Sequence, residues 1–292
     1  MTLSISSSQL YREAIDRLNK AGIDNAQREA LWIVEEALGT TRLRLLSDEE
    51  DSIDHVTYQG VISLLERRAS REPLQYVLEN QDFFGLSMVV NPHVLIPRPE
   101  SELLVEEVIA RLGSHSQPII WDVGTGSGCL AISVAKALNN AVVIASDRSL
   151  LALQVARINA MKHGVSSRIL LVVGDLLAPL LSSGLAGKVT AIIANLPYIS
   201  HEEWDRLSPD VKDFEPRLAL DGGPDGLDVY RRLLEEAPDV LASDGVVYME
   251  IGLGQADPLC KVITGSKFFK VIKVQPDLQD IPRMVCVQRV GC

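Results

Sequence analysis

At 292 residues, with 47% hydrophobic and 23% charged side chains, the chain can supply one large globular domain plus a smaller one. A formal net charge of −11 argues against a nucleic-acid-binding surface, while leaving room for a local basic patch. No apolar run approaches a membrane span, Met1 to Lys20 lacks an export signal, and Cys129, Cys260, Cys286 and Cys292 form no CxxC pair; a cytoplasmic chain with reduced thiols, no disulfides and no metal site is expected.

Residues 1–73 read as a small helical bundle. Leu10, Ala14, Ile15 and Leu18 form one apolar stripe, with Ser6 to Ser8 as capping candidates and Gly22 as the stop. Ala26, Ala30, Ile33, Val34, Ala37 and Leu38 form a second, ended by Gly39; Val61, Leu64, Leu65 and Arg68 form a third before Pro73. Such a bundle is either a packing accessory or a platform for a macromolecular partner, and the sequence does not separate the two.

Residues 74–92 read as a β-hairpin linker, with strand-like Gln75-Tyr76-Val77, Phe83-Phe84 and Met88-Val89-Val90 broken by Asn80 and Gly85. The segment from Asn91 to Glu100 then carries Pro92, Pro97 and Pro99, which restrict the backbone to an extended path. It precedes a helix expected over Glu102 to Leu112 and brings Arg98, Glu100 and Glu102 together as a candidate pocket wall.

Over residues 93–292 strand and helix signals alternate. Strands are predicted at Ile119–Val123, Ala141–Ser146, Ile169–Val173, Val189–Ala194 and Val246–Ile251, with helices at Gly128–Leu138, Ser149–His163, Leu227–Leu241 and Gln255–Ile263. Near-continuous apolar strands alternating with helices imply an α/β fold, a Rossmann-like parallel sheet covered on both faces. Phe268–Val274 and Met284–Val290 read instead as an antiparallel C-terminal hairpin at the sheet edge.

Asp122-Val123-Gly124-Thr125-Gly126-Ser127-Gly128 follows the first of these strands and opens a helix. Glycines there permit a tight turn and let a ligand approach the backbone above a helix N-terminus. The pattern is GxGxG and not the dinucleotide GxGxxG, since Cys129 follows Gly128. Asp147, ending the second strand, can accept both ribose hydroxyls of a nucleoside; its alternative is a helix N-cap, a role Ser149 fills equally well. Asp175 is placed to face an adenine amino group, with Leu176 against the ring. Together these favour S-adenosylmethionine over a nicotinamide cofactor or a purely structural turn.

The fourth strand ends in Asn195-Leu196-Pro197-Tyr198. An amide or ring-attached amino nitrogen is a poor nucleophile because its lone pair is delocalised. A site can help by accepting both of its N–H groups, one at the Asn195 side-chain oxygen and one at the Leu196 carbonyl, and so stabilise charge developing on nitrogen. Pro197 fixes the turn and Tyr198 packs on the planar group. A structural proline turn is the alternative. Glu250, ending the fifth strand, reads first as a solvated sheet-end carboxylate and second as a residue that orients the loops.

Ile96-Pro97-Arg98-Pro99-Glu100-Ser101-Glu102-Leu103, Asp122 to Gly128, Asn195 to Tyr198 and Glu215-Pro216-Arg217-Leu218-Ala219-Leu220-Asp221-Gly222-Gly223 follow one another in an order that resembles the bacterial release factor glutamine methyltransferase family. The resemblance runs from about Leu74 to the C-terminus, and the N-terminal helices fit the family's small bundle. It implies a class I methyltransferase that takes a methyl group from S-adenosylmethionine to the N5 of the glutamine in the Gly-Gly-Gln motif of peptide chain release factors. Under it, Gly124, Thr125, Gly126, Ser127, Gly128, Asp147, Asp175 and Leu176 hold the cofactor, with Pro97 and Asn195 beside them. Asn195, Leu196, Pro197 and Tyr198 clasp the glutamine amide, Arg98, Glu100 and Glu215 line the substrate side, and the helical bundle grips the release factor.

One position departs from the family. Its usual tetrapeptide is Asn-Pro-Pro-Tyr, and Leu196 stands at the second place; Asn-Leu-Pro-Tyr is similar to ribosomal RNA adenine dimethyltransferases. Methylation of an exocyclic amino group in RNA or DNA is therefore the competing enzymatic reading. A non-catalytic adaptor is the reading from outside enzymology.

Overall fold

The computed structural model describes residues 5–45, 52–181 and 183–291; Cys292 lies outside them. The chain forms two compact units, one of residues 1–80 with 208–214 and one of residues 81–207 with 215–292.

The first unit holds α1 (Ser7–Lys20), α2 (Ala26–Leu38), α3 (Arg42–Leu45), α4 (His55–Ala69) and α5 (Leu74–Val77). Ser6 caps α1 in a reciprocal capping box with Gln9, and Gly39 ends α2 in the left-handed region. The predicted stripes meet in one core of Leu10, Ala14, Leu18, Ala30, Ile33, Val34, Val61 and Leu65, all within 1% of full burial. Each of the larger side chains there contributes roughly 1.5–3 kcal/mol through removal from water. Arg68 continues the α4 stripe as a buried cation held by Glu29.

Gln75-Tyr76-Val77, expected as strand, is the helical turn α5 instead. Leu74 and Val77 join the helical core, and Arg67 donates to the Tyr76 carbonyl at 2.9 Å. The apolar run is too short to set a period by itself, and burial against helices decided it. The hairpin begins afterwards, with β1 (Asn80–Phe83) paired to β2 (Leu86–Val89).

In the second unit α6 (Glu102–Leu112) leads to β3 (Ile119–Val123), α7 (Cys129–Ala137), β4 (Val142–Asp147), α8 (Leu150–Lys162), β5 (Ile169–Val173) and β6 (Val189–Ala194). The single turn α9 (His201–Trp204) follows, and the chain then enters the first unit through α10 (Pro209–Lys212). It returns as α11 (Asp228–Val240), β7 (Leu241–Glu250), α12 (Ala256–Thr264), β8 (Phe269–Pro276) and β9 (Pro282–Arg289).

The sheet order is β5-β4-β3-β6-β7-β9-β8. Five strands are parallel, and β9 runs antiparallel between β7 and β8. This is the expected Rossmann-like sheet with its antiparallel C-terminal hairpin. Strand β7 starts five residues earlier than its apolar run, because Leu241 pairs with Val189 before an irregularity that resumes at Val246. One face packs α6 and α7 over Ile120, Val143 and Ile193; the other packs α11 and α12 over Trp121, Ile192 and Val247. Strand order reverses at β3, whose neighbours are β4 on one side and β6 on the other. Such a switch point opens a crevice at the carboxyl ends of the strands. No described helix is long and apolar enough to cross a membrane.

Candidate active site

Val123 of β3 and Ala194 of β6 are register partners, so the glycine turn and Asn195 leave adjacent strands side by side. A cavity of about 550 Å³ opens between them, a volume that suits a nucleoside-sized ligand. Of the residues singled out in the sequence, Pro97, Gly124, Thr125, Gly126, Ser127, Asp147, Asp175, Leu176, Asn195, Leu196 and Pro197 line it. Gly128, Arg98, Glu100, Tyr198 and Glu215 do not form its wall.

The turn is built around Asp122. Its Oδ2 accepts the Thr125 hydroxyl at 2.6 Å and the Ala131 N–H at 3.1 Å, tying the loop to the first turn of α7. Burial pushes this carboxyl up to about 7. Gly124 sits at φ +73, and a Cβ on it would lie 2.8 Å from Leu196 Cδ2. Gly128, at φ +82, packs instead against Ala156 and Ile132, so its role is helix packing beneath the turn.

Asp147 accepts the Gly126 N–H at 2.9 Å through Oδ2 and the Ser149 N–H at 2.8 Å through Oδ1. Desolvation raises its pKa. Ser149, not Asp147, is the N-cap of α8, accepting from Ala152 N at 3.1 Å. Leu176 is 5% exposed and held at φ +48, an uncommon backbone for a leucine, with its side chain in the cavity wall. Asp175 is paired to Arg232 at 2.6 Å and lies 3.7 Å from Arg148 at the cavity mouth.

An adenosylmethionine-sized group fits these residues on one further observation. Ser127 lines the cavity, and its Oγ is buried with no nitrogen or oxygen hydrogen-bond partner among the described residues. A buried hydroxyl without a partner is costly unless a ligand satisfies it. Among the described residues no group of three or more His, Cys, Asp or Glu side chains could hold a metal ion.

The Asn195-Leu196-Pro197-Tyr198 turn is fixed from behind. Asn195 Nδ2 donates to Ser101 Oγ at 2.9 Å, and Ser101 Oγ donates to Glu250 Oε2 at 2.5 Å. The Tyr198 hydroxyl approaches Glu250 Oε1 at 3.4 Å. Leu196 N–H donates to the Tyr230 hydroxyl at 3.3 Å, which in turn donates to the Glu250 carbonyl. Glu250 is thus 2% exposed and the centre of a network, not the solvated carboxylate expected. Burial, with Glu100 nearby, raises it to about 7 against the opposing pull of Ser101, Tyr198 and Arg283. Burial also drives the Tyr198 hydroxyl well above its ordinary value.

The two longest family-like segments meet in the same place. Buried Glu215 accepts from the Ile96 N–H at 3.3 Å and pairs with Arg98, joining the Ile-Pro-Arg-Pro loop to Glu-Pro-Arg-Leu. Glu102, grouped with Arg98 in the sequence, turns to the Phe84 N–H of the β1–β2 turn at 2.7 Å. A Cβ on Gly222 would strike the Pro197 oxygen at 2.8 Å and Tyr198 Cα at 2.7 Å. Gly222 therefore lets this backbone lie against Pro197 and Tyr198, while Gly223, at φ +90, turns the chain over Asp228.

Sequence reading missed Ser101 and Tyr230. Ser101 stands inside a quoted motif, but only its contact with Glu250, 149 positions away along the chain, reveals its use. Tyr230 looks like one more apolar residue of α11, where it is fully buried.

Comparison with known proteins agrees with this architecture. A family model described as the PrmC N-terminal domain matches residues 9–78, and one described as Ribosomal protein L11 methyltransferase (PrmA) matches residues 105–211. The chain is 38% identical to the release factor glutamine methyltransferase of Geobacter sulfurreducens over 268 residues, covering 92% of this chain and 91% of that one. It is 41% identical to the enzyme of the same name from Moorella thermoacetica, covering 92% and 93%. In structure it is similar to the hMettl16 catalytic domain solved with an RNA hairpin, at TM-score 0.56 and 15% identity over 84% of this chain and 86% of that chain, which is a likeness of fold. With full-length identity at this level, the chain belongs to the release factor glutamine methyltransferase family.

Proposed function

We propose that the chain transfers a methyl group from S-adenosylmethionine to the N5 amide nitrogen of the glutamine in the Gly-Gly-Gln motif of a peptide chain release factor. The observation that carries this reading is the direct contact of the glycine turn with the clasp. Leu196 Cδ2 packs directly over Gly124, 2.8 Å from where a Cβ would stand, and both residues line one cavity, so a donor on the turn and an amide in the clasp would share it.

Asp147 would hold the ribose, Asp175 and Leu176 would border the adenine, and Ser127 would supply a polar contact to the amino-acid end. Bound there, adenosylmethionine supplies a sulfonium methyl group that a nucleophile removes with cleavage of the carbon–sulfur bond. Asn195 Oδ1 and the Leu196 carbonyl accept the two N–H groups of the glutamine amide. Both acceptors become stronger partners as the nitrogen turns cationic, so they favour the transition state over the ground state. Once its new C–N bond has formed, the nitrogen loses a proton to water. No strong base is needed, because an N-alkylated amide cation is very acidic. The buried Leu196 side chain and Pro197 exclude water from one side of the amide.

The deciding experiment incubates the protein with labelled donor and either a purified release factor or ribosomal RNA. Mass spectrometry should find one added methyl on the Gly-Gly-Gln glutamine. Label confined to RNA would overturn the reading in favour of an exocyclic amino substrate, and donor binding without turnover on either would favour an adaptor.

A further inference from the structure

An asparagine can present its oxygen or its NH2 to the same place, and the two ends are nearly isosteric. Only the oxygen is useful to a substrate N–H, so something must choose. The choice is traceable through three residues. An ionised carboxylate only accepts hydrogen bonds, so the proton of the Ser101 hydroxyl goes to Glu250 Oε2, 2.5 Å away. With its proton committed there, Ser101 Oγ has only lone pairs left for Asn195. The Asn195 end 2.9 Å from it must be the NH2, and Oδ1 must face the other way.

We propose that Glu250 and Ser101 are positioning residues that fix the Asn195 amide with its oxygen toward the substrate nitrogen, Glu250 acting through the Ser101 hydroxyl. The inference rests on the glutamine-amide reading above and adds the device that gives the clasp its polarity. Glu250 reaches the remaining clasp contacts as well. Its Oε1 receives the Tyr198 hydroxyl, and its carbonyl receives the Tyr230 hydroxyl that accepts from Leu196 N–H. The side chain of Asn195, the backbone N–H of Leu196 and the hydroxyl of Tyr198 are thus all referred to one residue at the end of β7.

Protonation of Glu250 removes the constraint. A neutral carboxyl can donate to Ser101, which can then donate onward and draw Oδ1 of Asn195 toward itself. The amide NH2 would then meet the substrate NH2, donor against donor. The groups that set this titration are Glu100, which opposes ionisation, and Ser101, Tyr198 and Arg283, which favour it; Tyr230 and Cys129 face the same carboxylate.

The test compares Ser101→Ala, Ser101→Thr and Glu250→Gln in the full chain. Ser101→Ala should lower kcat toward a release factor by about 10- to 100-fold, less than the roughly 10²–10³ lost with a contact made directly to the transition state. KM and donor affinity by calorimetry should shift less than about twofold, since uniform binding is untouched. Ser101→Thr should restore most of what Ser101→Ala loses, and Glu250→Gln should flatten the acid limb of the kcat profile. A second readout needs no turnover. One side-chain NH2 proton of Asn195, assigned by its absence in Asn195→Ala, should exchange slowly in the wild type and Ser101→Thr and fast in Ser101→Ala. Wild-type kcat in Ser101→Ala, or equal impairment in Ser101→Thr, overturns the proposal. Protected exchange lost in Ser101→Ala, in a protein inert toward release factors, would sink the substrate reading and support the positioning.

Discussion

The Gly126 amide donates to Asp147 Oδ2 at 2.9 Å, which joins the glycine turn after β3 to the carboxylate that ends β4. Ser149 N–H holds the other oxygen, so the carboxylate is aimed before any ligand arrives. Asp147 lines the cavity. Asp147→Ala is expected to weaken donor binding by roughly 1.5–3 kcal/mol, the range for hydrogen bonds to a charged group. Calorimetric titration with adenosylmethionine reads this directly; an unchanged dissociation constant would remove Asp147 from the cofactor site.

Asn195→Ala should behave in the opposite manner. In the proposed reaction the side chain would contact the amide that reacts, and its contribution would grow as charge develops on nitrogen. Turnover should fall by about 10²–10³, the magnitude for losing one contact to a developing charge. Donor affinity should stay nearly constant. Full activity in a quenched-flow assay with release factor would rule out the amide clasp.

What the sequence made legible follows from how local each signal is. Strands Ile119–Val123, Ile169–Val173 and Val189–Ala194 could be read to the residue because each is a near-continuous apolar run, buried at the central β3 and β6 and kept apolar even at the half-exposed edge strand β5. The glycine turn and Asn195 to Pro197 were legible because each packs its chemistry into a few consecutive positions. Glu250 was misjudged for a physical reason: a carboxylate at a strand end is solvated unless something covers it. The cover comes from Ser101 and Tyr198 on the carboxylate, with Tyr230 on the backbone carbonyl of the same residue. Likewise, nothing between Gln75 and Val77 announces a helix; the partner surface of α4 selects it.

The Glu250 carboxyl, raised to about 7 by burial, makes a pH prediction with a definite sign. Its ionised form orients Asn195, so kcat should rise with pH and level off above about 7, falling about tenfold per unit on the acid side. Stability runs the other way. Between the unfolded value near 4.5 and about 7 the folded state holds a proton that the unfolded state has lost, so this group's contribution to stability declines as pH rises through that window. Urea titrations at pH 5 and pH 8 should therefore show a smaller alkaline loss in Glu250→Gln than in the wild type. Asp122, also near 7, contributes equally to both proteins and cancels. An acid limb that persists in Glu250→Gln would assign the titration elsewhere.

In the helical unit, Arg68 is 6% exposed and donates to Glu29 at 2.5 Å and to Asp210 at 3.3 Å. Asp210 lies on α10, so one cation joins α2, α4 and a segment far along the chain. Replacing Arg68 by Met removes the charge and leaves two half-buried carboxylates facing each other. Losing one partner of a buried ion pair costs roughly 3–5 kcal/mol. Hydrogen exchange should speed up in α2, α4 and α10 together. A loss under about 1 kcal/mol would place the triad with ordinary surface pairs.

Leu196 gives the most discriminating stability test, because the residue usual at its position in the family is a proline, which has no N–H. Here the Leu196 N–H exists, is buried, and is satisfied by the Tyr230 hydroxyl at 3.3 Å. The leucine side chain is 4% exposed and fills the space over Gly124. The backbone freedom gained without proline is thus countered by one hydrogen bond and one packing contact. Tyr230→Phe should cost about 1–3 kcal/mol, because it strands that N–H and the Glu250 carbonyl. In a Leu196→Pro background there is no N–H to strand, so the same change should cost less. A double-mutant cycle measured by urea denaturation should give a coupling of about 0.5 kcal/mol or more between positions 196 and 230. Strict additivity would mean that the tyrosine serves Glu250 alone, and that Leu196 is held by its side chain only.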